Sequence, residues 1–266
     1  MRLELIYALP VLIVIGSAAW LYASARHNVN IVDSLWSLFF LVASLVYLGA
    51  TPQLMLSNIL LLAMVAIWAM RLSIHLSLRN INKDEDRRYA AMRAANPRFN
   101  KQSLVTVFGL QAFLAWLISM PLAAAIFEPV QLNAWHYVAI AVFAIGFIFE
   151  SVSDWQLVSF KQHAENQNRV LDSGLWRFSR HPNYFGEAVI WWSFFLYAMG
   201  SGAIWTVFAP LLMTLLLLKV SGVTLLEKDI SERRPAYRQY IETTSAFIPW
   251  FPKHKTSDQV PDGERS

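Results

Sequence analysis

Seven apolar stretches follow one another along the chain, separated by short polar segments. Most of them reach the roughly 20 residues that an α-helix needs to cross a hydrocarbon layer about 30 Å thick. Because lipid offers no hydrogen-bond partner to an open backbone group, the predicted elements are helices, and no stretch alternates like a barrel strand. The predicted spans are Leu5–Ser24, Ile31–Gly49, Leu54–Leu78, Leu104–Phe127, Trp135–Val158, Tyr184–Met199 and Ala203–Leu218.

This pattern predicts an all-α, polytopic membrane protein with about seven transmembrane helices. Residues 1–252 are expected to form one membrane domain. The polar residues 253–266 lack apolar periodicity and are expected to be a disordered tail. The first apolar run is long enough to span and shows no small-residue cleavage site, so it is interpreted as the first helix rather than a signal peptide.

Composition supports this class and excludes several others. Only 15% of the residues are charged and 56% are apolar, whereas a soluble domain has roughly 25% charged residues. The absence of cysteine excludes disulfides, thiolate catalysis and Cys-ligated metals. The six histidines show no ligand-like spacing, so no metal site is expected.

The basic residues also predict an orientation. Lys and Arg concentrate in residues 79–101, in residues 161–180 and after Leu218, whereas the connections 50–53, 128–134 and 200–202 contain none. With seven spans, all basic segments lie on one side of the membrane, and only Arg2 lies on the other. The positive-inside rule then places the N-terminus outside and the C-terminus in the cytoplasm. We therefore expect an integral multi-pass membrane protein with no nucleic-acid partner, although its net charge is +4.

Ionisable residues occur within the predicted spans, where charge is costly and usually serves a site. In the predicted topology all of them lie in the cytoplasmic third, and three pairs of polar residues are four positions apart on one helix face. The pattern predicts a polar cavity open to the cytoplasm. The alternative is that these groups lie at helix ends and reach water there. The ionisable residues are Asp33, Arg71, His75, Glu150, Asp154, Glu187 and Lys219, and the amide Asn183 pairs with Glu187.

The densest polar segment runs from Asp172 to Glu187. Gly174 permits a turn, and Arg177, Arg180 and His181 offer donors to an anion. Pro182, which follows them, suits the first turn of a helix whose N-terminus adds unpaired N–H groups. The segment predicts a phosphate or carboxylate ligand, and the alternative is a basic interfacial loop.

The pattern Ser-Arg-His-Pro-Asn-Tyr-Phe-Gly-Glu at residues 179–187 resembles the signature of the steroid 5-alpha-reductase-like membrane proteins, in particular their bacterial branch of the DUF1295 type. The resemblance extends over nearly the whole chain, and its bacterial branch implies the bacterial inner membrane as the location. Further matching segments are residues 32–36, 68–72, 85–89, 149–156, 160–161 and 174–176, together with Gln111, Pro121, Arg169 and the late Tyr237, Tyr240, Thr244 and Pro249.

The resemblance implies a seven-helix fold that holds NADPH in a cytoplasm-facing cavity and reduces a carbon–carbon double bond conjugated to a ketone in a lipophilic substrate. An arginine-rich site favours NADPH over NADH. The sequence contains no G-x-G-x-x-G motif, so the cofactor is not expected to be held by a Rossmann fold. The expected partners are this lipophilic small-molecule substrate and membrane lipid. The expected cofactor-binding residues are Arg71, Glu150, Asp154, Lys161, Arg169, Arg180, His181, Asn183, Glu187 and Trp191.

The same resemblance implies that a carboxylate on the second span and a tyrosine on the third polarise the ketone. Asp33 stands for the carboxylate, and it would have to stay protonated to donate to the carbonyl oxygen. Trp68 stands at the tyrosine position, and its indole donates a hydrogen bond without exchanging a proton readily. His75 is the alternative donor, although a packed histidine is the simpler interpretation.

Two other functions fit the sequence. Isoprenylcysteine and phospholipid methyltransferases, which bind S-adenosylmethionine in the membrane, look similar in their Arg-His-Pro-x-Tyr segment. The pairs Asn183–Glu187 and Glu150–Asp154 are closer to the reductase pattern. A non-enzymatic lipid-binding or transport protein is the other alternative, and the one-sided polar groups and the lack of paired broken helices argue against it.

Overall fold

The computed structural model describes residues 6–81, 83–167, 169–220, 223, 227 and 237–253. All the regular elements among these residues are helical, which confirms the predicted all-α class. Apart from Lys253, the expected disordered tail lies outside the described residues. The helices are α1 (Ala8–Arg26), α2 (Ile31–Ala50), α3 (Leu56–Asn80), α4 (Arg87–Ala95), α5 (Phe99–Ile118), α6 (Met120–Phe127), α7 (Ala134–Gln162), α8 (Pro182–Gly200), α9 (Ile204–Lys219) and α10 (Tyr237–Thr243).

Five of these helices, α1, α2, α3, α5 and α7, are long and apolar enough to cross a membrane. Helices α8 and α9 are also apolar and correspond to the sixth and seventh predicted spans. The chain is therefore a polytopic membrane protein. Its orientation stays a prediction.

The fourth predicted span, Leu104–Phe127, was wrong in its start and its continuity. Helix α5 begins earlier, at Phe99, passes through a π-helical turn at Leu104–Gly109 and ends at Ile118. Helix α6 then begins at Met120. The break follows from Pro121, which has no N–H to donate to the preceding turn and whose ring would clash with it. All eight residues of α6 are buried.

The predicted basic loop after α3 contains a helix that the hydrophobic pattern does not reveal. Helix α4 carries no apolar stripe, and its start is fixed by a cap. The Asp86 side chain accepts a hydrogen bond from the Arg88 backbone N–H at 3.0 Å, as N-cap residues do.

The chain divides into two compact units. The first comprises Met1–Phe143 and Trp191–Met213, and the second comprises Ala144–Ile190 and Thr214–Ser266. In the first unit α2 packs against α1, α3, α5 and α6. In the second unit the later part of α7 packs on the start of α8 where two glycines meet.

Candidate functional site

The second unit contains a cluster of buried acidic side chains. Glu150, Asp154 and Glu187 are only 2%, 5% and 7% exposed. The Asn183 amide donates to Asp154 Oδ1 at 3.1 Å. Buried carboxylates on apolar helices are costly and normally serve a site or a partner. This acidic cluster is therefore the primary candidate site.

Direct contact between the backbones of α7 and α8 explains how the acidic cluster is assembled. A Cβ placed on Gly186 would lie 2.6 Å from the Glu150 backbone N and 2.8 Å from its Cα. One placed on Gly146 would lie 2.9 Å from the Gly186 carbonyl oxygen. The helices can approach this closely because both positions lack a side chain. The contact sets Asn183 against Asp154 on α7, and Glu187 follows one turn later on α8. Sequence reasoning missed both glycines, because the spacing of 40 residues gives no local signal.

We expect Gly186→Ala to lower the free energy of unfolding by about 1–3 kcal/mol, since the added methyl group would overlap backbone atoms that cannot rotate away. Thermal unfolding in detergent measures the effect. Gly49→Ala is the matched control, because a Cβ on Gly49 meets nothing within 4 Å. Equal melting temperatures for the two variants would contradict the close backbone contact.

The loop before α8 is fastened to α7. Trp176 Nε1 donates to the Ser153 carbonyl oxygen at 3.0 Å, and the Leu175 N–H donates to Gln156 Oε1 at 3.0 Å. Gly174 has φ +59°, and a Cβ there would lie 2.3 Å from the Gln156 amide nitrogen. The left-handed conformation therefore favours glycine at this turn, and a side chain there would also displace the Gln156 amide that binds Leu175.

Arg180 binds the C-terminal part of the second unit. Its Nε and Nη2 donate to the two oxygens of Glu227 at 2.7 and 2.8 Å. Its Nη1 donates to the carbonyl oxygens of Ile241 and Thr244. Four of its five N–H groups are thus engaged within the described residues, so at most one is available for a phosphate. The predicted role of Arg180 in cofactor binding stays a prediction, and the geometry adds a structural role.

His181 shares the same acidic partner. Its Nε2 lies 3.0 Å from Glu227 Oε1, and its ring stacks on Tyr184. Burial raises the pKa of Glu227, but the hydrogen bonds from His181 and Arg180 outweigh burial and bring it down to about 2. Sequence reasoning missed Glu227, because nothing in its local pattern distinguishes it from a solvent-exposed acid.

The remaining predicted phosphate ligands lie at the surface of the second unit. Lys161 is in the last turn of α7 and Arg169 follows the helix, and both side chains are exposed. Exposed cations of this kind suit the phosphates of a ligand that enters from water.

In the first unit Asp33 is bound by the segment that contains α4. The Tyr89 hydroxyl donates to Asp33 Oδ1 at 2.8 Å, and Arg88 Nη2 donates to Oδ2 at 3.2 Å. Asp33 therefore accepts hydrogen bonds at both oxygens, which gives it a structural role. Its predicted role as proton donor stays a prediction. Sequence reasoning noted Tyr89 within a family pattern but assigned it no role.

Further polar contacts hold this segment against the α1–α2 connection. Glu85 accepts a backbone hydrogen bond from Val29 at 3.0 Å and two from the Arg93 guanidinium at 2.8 Å. The hydrogen bonds from Arg93 lower the pKa of Glu85. Asn30 donates to the Asp84 carbonyl oxygen at 3.0 Å. Together these contacts keep Tyr89 buried next to Asp33.

Two tryptophans of the first unit offer hydrogen-bond donors inside an aromatic cluster. Trp68 and Trp191 are fully buried, and their rings meet edge to face at 5.6 Å, with Phe40 against both. Neither indole N–H has a hydrogen-bond partner among the described residues. A buried donor without an acceptor costs free energy, so both positions favour a ligand oxygen.

The other predicted residues of the first unit, Arg71 and His75, are partly buried one turn apart on α3. The first unit thus contains Asp33, Trp68, Arg71, His75 and Trp191, and the second contains the other predicted site residues. The expected convergence of the two sets in one cavity stays a prediction. Within the described ranges, no group of three or more His, Asp or Glu side chains could hold a metal ion.

Comparison with known families identifies the chain. The family described as DUF1295, a protein of unknown function, matches residues 19–244. The chain belongs to the DUF1295 family. The matched range contains both the acidic cluster and the Asp33–Tyr89 contact.

This DUF1295 protein is also similar to the uncharacterized protein C594.04c of Schizosaccharomyces pombe. The two are 27% identical over an alignment of 271 positions, which covers 89% of this chain and 77% of the yeast protein. No solved structure matches the chain significantly. Because this relative comes from a yeast, the similarity does not itself indicate a bacterial membrane, and that location stays a prediction.

Proposed function

We propose that this DUF1295 protein is an NADPH-dependent reductase of the C=C bond of a lipophilic enone, of the 3-oxo-Δ4-steroid type. The acidic cluster carries the proposal, because three buried carboxylates and an amide on membrane helices indicate a polar ligand. The signature at residues 179–187 supports a reductase, since it resembles that of the steroid 5-alpha-reductase-like proteins.

The residues present are suitable for this cofactor. NADPH carries ribose hydroxyls and a carboxamide, which donate hydrogen bonds, and phosphates, which need cations. Glu150, Asp154 and Glu187 supply buried acceptors, and Asn183 can both donate and accept. The exposed cations, Lys161 and Arg169 among them, suit the phosphates. When bound, NADPH would supply the hydride.

The first unit offers donors for a substrate carbonyl. Ser37 Oγ donates to the Ala69 carbonyl oxygen at 2.9 Å and so holds α2 against α3 beside Trp68. Asp33 lies one turn from Ser37 on α2, about 6 Å along the axis. The buried indole N–H groups and the Asp33–Tyr89 pair therefore occur at neighbouring levels of these helices. The aromatic cluster of Phe40, Trp68 and Trp191 excludes water. A hydrogen bond to an oxygen that becomes negative is stronger in such an apolar environment.

Tyr89 is the group that we propose to stabilise the enolate oxygen. Burial and the nearby Asp33 carboxyl raise the pKa of Tyr89. Its Oη therefore keeps its proton at neutral pH, and in the proposed complex this single O–H turns from Asp33 Oδ1 to the substrate oxygen. This assignment replaces the tyrosine that the family pattern places on the third span, where this chain has Trp68.

The proposed orientation keeps the N-terminus outside and the C-terminus in the cytoplasm, where reduced dinucleotide is available. The positive-inside rule supports this orientation, because the basic segments lie on one side of the membrane and the connections without Lys or Arg lie on the other.

Ligand-dependent melting tests the proposed cofactor. We expect NADPH to raise the melting temperature of the purified protein and S-adenosylmethionine to leave it unchanged, because saturation at about 100 times Kd contributes about 2.7 kcal/mol. We expect Asn183→Ala and Glu187→Ala to weaken NADPH affinity by about tenfold or more, equivalent to about 1.4 kcal/mol. The matched control is Glu165→Ala, since Glu165 is an exposed acid.

Unchanged NADPH affinity in both variants would reject the assignment of the acidic cluster. A shift with S-adenosylmethionine alone would favour the methyltransferase alternative, and solute uptake by vesicles without NADPH oxidation would favour transport. A screen of lipophilic enones, followed through NADPH oxidation, then identifies the substrate.

A further inference from the structure

Three large apolar side chains near the end of the described chain are exposed. Ile248, Trp250 and Phe251 are 64%, 71% and 77% exposed. They lie in a short segment, Ile-Pro-Trp-Phe-Pro-Lys at residues 248–253, which follows the last described helix. Single exposed apolar residues are common, but three within four positions outside a spanning helix indicate a surface that another apolar medium covers.

This segment is held in place by its backbone. The Trp250 N–H donates to the Phe178 carbonyl oxygen at 2.9 Å, and the Lys253 N–H donates to the Thr243 carbonyl oxygen at 2.9 Å. Ser179 Oγ donates to the Phe247 carbonyl oxygen at 2.8 Å. The three exposed side chains therefore project from an ordered backbone.

The contacts of the loop before α8 give the level of this segment along α7. Trp176 in that loop binds the Ser153 carbonyl oxygen. Ser153 lies nine residues before the end of α7 at Gln162 (162 − 153), which corresponds to about 13 Å. The 29 residues of α7 span about 43 Å and so exceed a hydrocarbon core of about 30 Å by about 13 Å. Trp135 and Tyr137 are exposed near the start of α7, which indicates that α7 begins at the opposite interface. The excess length then lies at the end of α7, so the loop and the segment bound to it lie near the level where α7 leaves the hydrocarbon.

The exposed surface of α7 at this level has the character of a membrane interface. Trp155, two residues beyond Ser153, is 67% exposed, and Val158 is 39% exposed. Tryptophan is enriched at both membrane–water interfaces, because its ring is apolar and its N–H is polar. Lys253, which follows the apolar residues, is exposed and suits lipid phosphates.

We propose that Ile248, Trp250 and Phe251 form an interfacial anchor that inserts between the headgroups and acyl chains of the bilayer at the Asn183 end of α8. The partner is membrane lipid. Pro249 and Pro252 restrict the backbone and so lower the entropy lost on insertion. Since the same segment binds the loop at Phe178 and Ser179, lipid binding there supports the start of α8. The anchor is independent of the proposed reductase activity.

Site-directed spin labelling of the full chain in phosphatidylcholine–phosphatidylglycerol vesicles tests the anchor. The chain has no cysteine, so Ile248→Cys, Trp250→Cys and Phe251→Cys each provide one labelling site. Ile148→Cys is the lipid control, because Ile148 is 61% exposed within α7. Glu165→Cys is the water control, because Glu165 is an exposed acid beyond the end of α7.

We expect labels at positions 250 and 251 to collide with oxygen more often, and with a water-soluble nickel chelate severalfold less often, than the label at 165. The values should lie between those of the two controls. Nickel accessibility equal to that at 165 would overturn the anchor. Low accessibility to both reagents would also overturn it, because that result shows a protein contact instead of lipid. The label at 248 provides a second reading if one of the other variants does not fold.

Discussion

Glu227→Ala is expected to lower the free energy of unfolding by about 3 kcal/mol, because it leaves the buried Arg180 guanidinium without its carboxylate. Both side chains are largely shielded, with 9% of the Arg180 and 16% of the Glu227 side chain exposed. The two parallel hydrogen bonds between them are the strong geometry for this pair. Chemical or thermal unfolding in detergent measures the loss.

The matched control for Glu227→Ala is Glu165→Ala, which removes an exposed acid and is expected to change stability by about 0.5 kcal/mol or less. A loss of equal size in the two variants would contradict the buried ion pair.

The Arg180–Glu227 ion pair also predicts that the free energy of unfolding depends on pH. The folded pKa of Glu227 is about 2 and its ordinary value is 4.5. A lowered pKa means that the carboxylate stabilises the fold above about pH 4.5 and that this contribution disappears as the pH falls towards 2. The wild-type protein should therefore lose more stability than Glu227→Ala over that interval. Parallel stability curves for the two proteins would show that Glu227 does not carry the effect.

Tyr89→Phe is expected to lower kcat for enone reduction by about 100-fold, the usual cost of removing one donor to a developing oxyanion. The variant keeps the aromatic ring in its buried position, and Asp33 keeps its contact with Arg88. It also removes one hydrogen bond to a carboxyl group, so stability should fall by about 1.5–3 kcal/mol. Steady-state kinetics with NADPH and an enone measure the rate.

Two readings separate catalysis by Tyr89 from a purely structural role. NADPH should still raise the melting temperature of Tyr89→Phe, and kcat should fall more than KM changes. Tyr137→Phe is the control, because Tyr137 is 60% exposed and should keep full activity. A variant that is destabilised but retains the wild-type kcat would assign Tyr89 to support of Asp33 alone.

The positions of the helices could largely be predicted from the sequence. Apolar runs long enough to span require helices, since the chain must satisfy its backbone groups without water. The preference of proline for a first helical turn predicted Pro182 at the start of the sixth helix, and α8 begins at Pro182. The break near Ser119 was missed, because the hydrophobic run continues through Pro121 and only backbone geometry ends the helix there.

The candidate site could be predicted only in its local parts. The four-residue spacing of Asn183 and Glu187 assigns them to one helix face, and both lie on α8, where Asn183 donates to the buried Asp154. Partners distant in sequence, such as Tyr89 for Asp33, have no periodic signal. The choice of partner depends on which helices approach each other.

The sequence by itself determined that this protein lies in the membrane as a set of helices with ionisable groups in its spans, because hydrophobic run length and helical periodicity are local properties. Only the tertiary structure decided that Arg180 binds Glu227, that Asp33 accepts from Tyr89, and that Gly186 meets the backbone of Glu150. These contacts join residues 36 to 56 positions apart in the chain. They depend on side-chain volume and hydrogen-bond geometry across packed helices, which no single helix encodes.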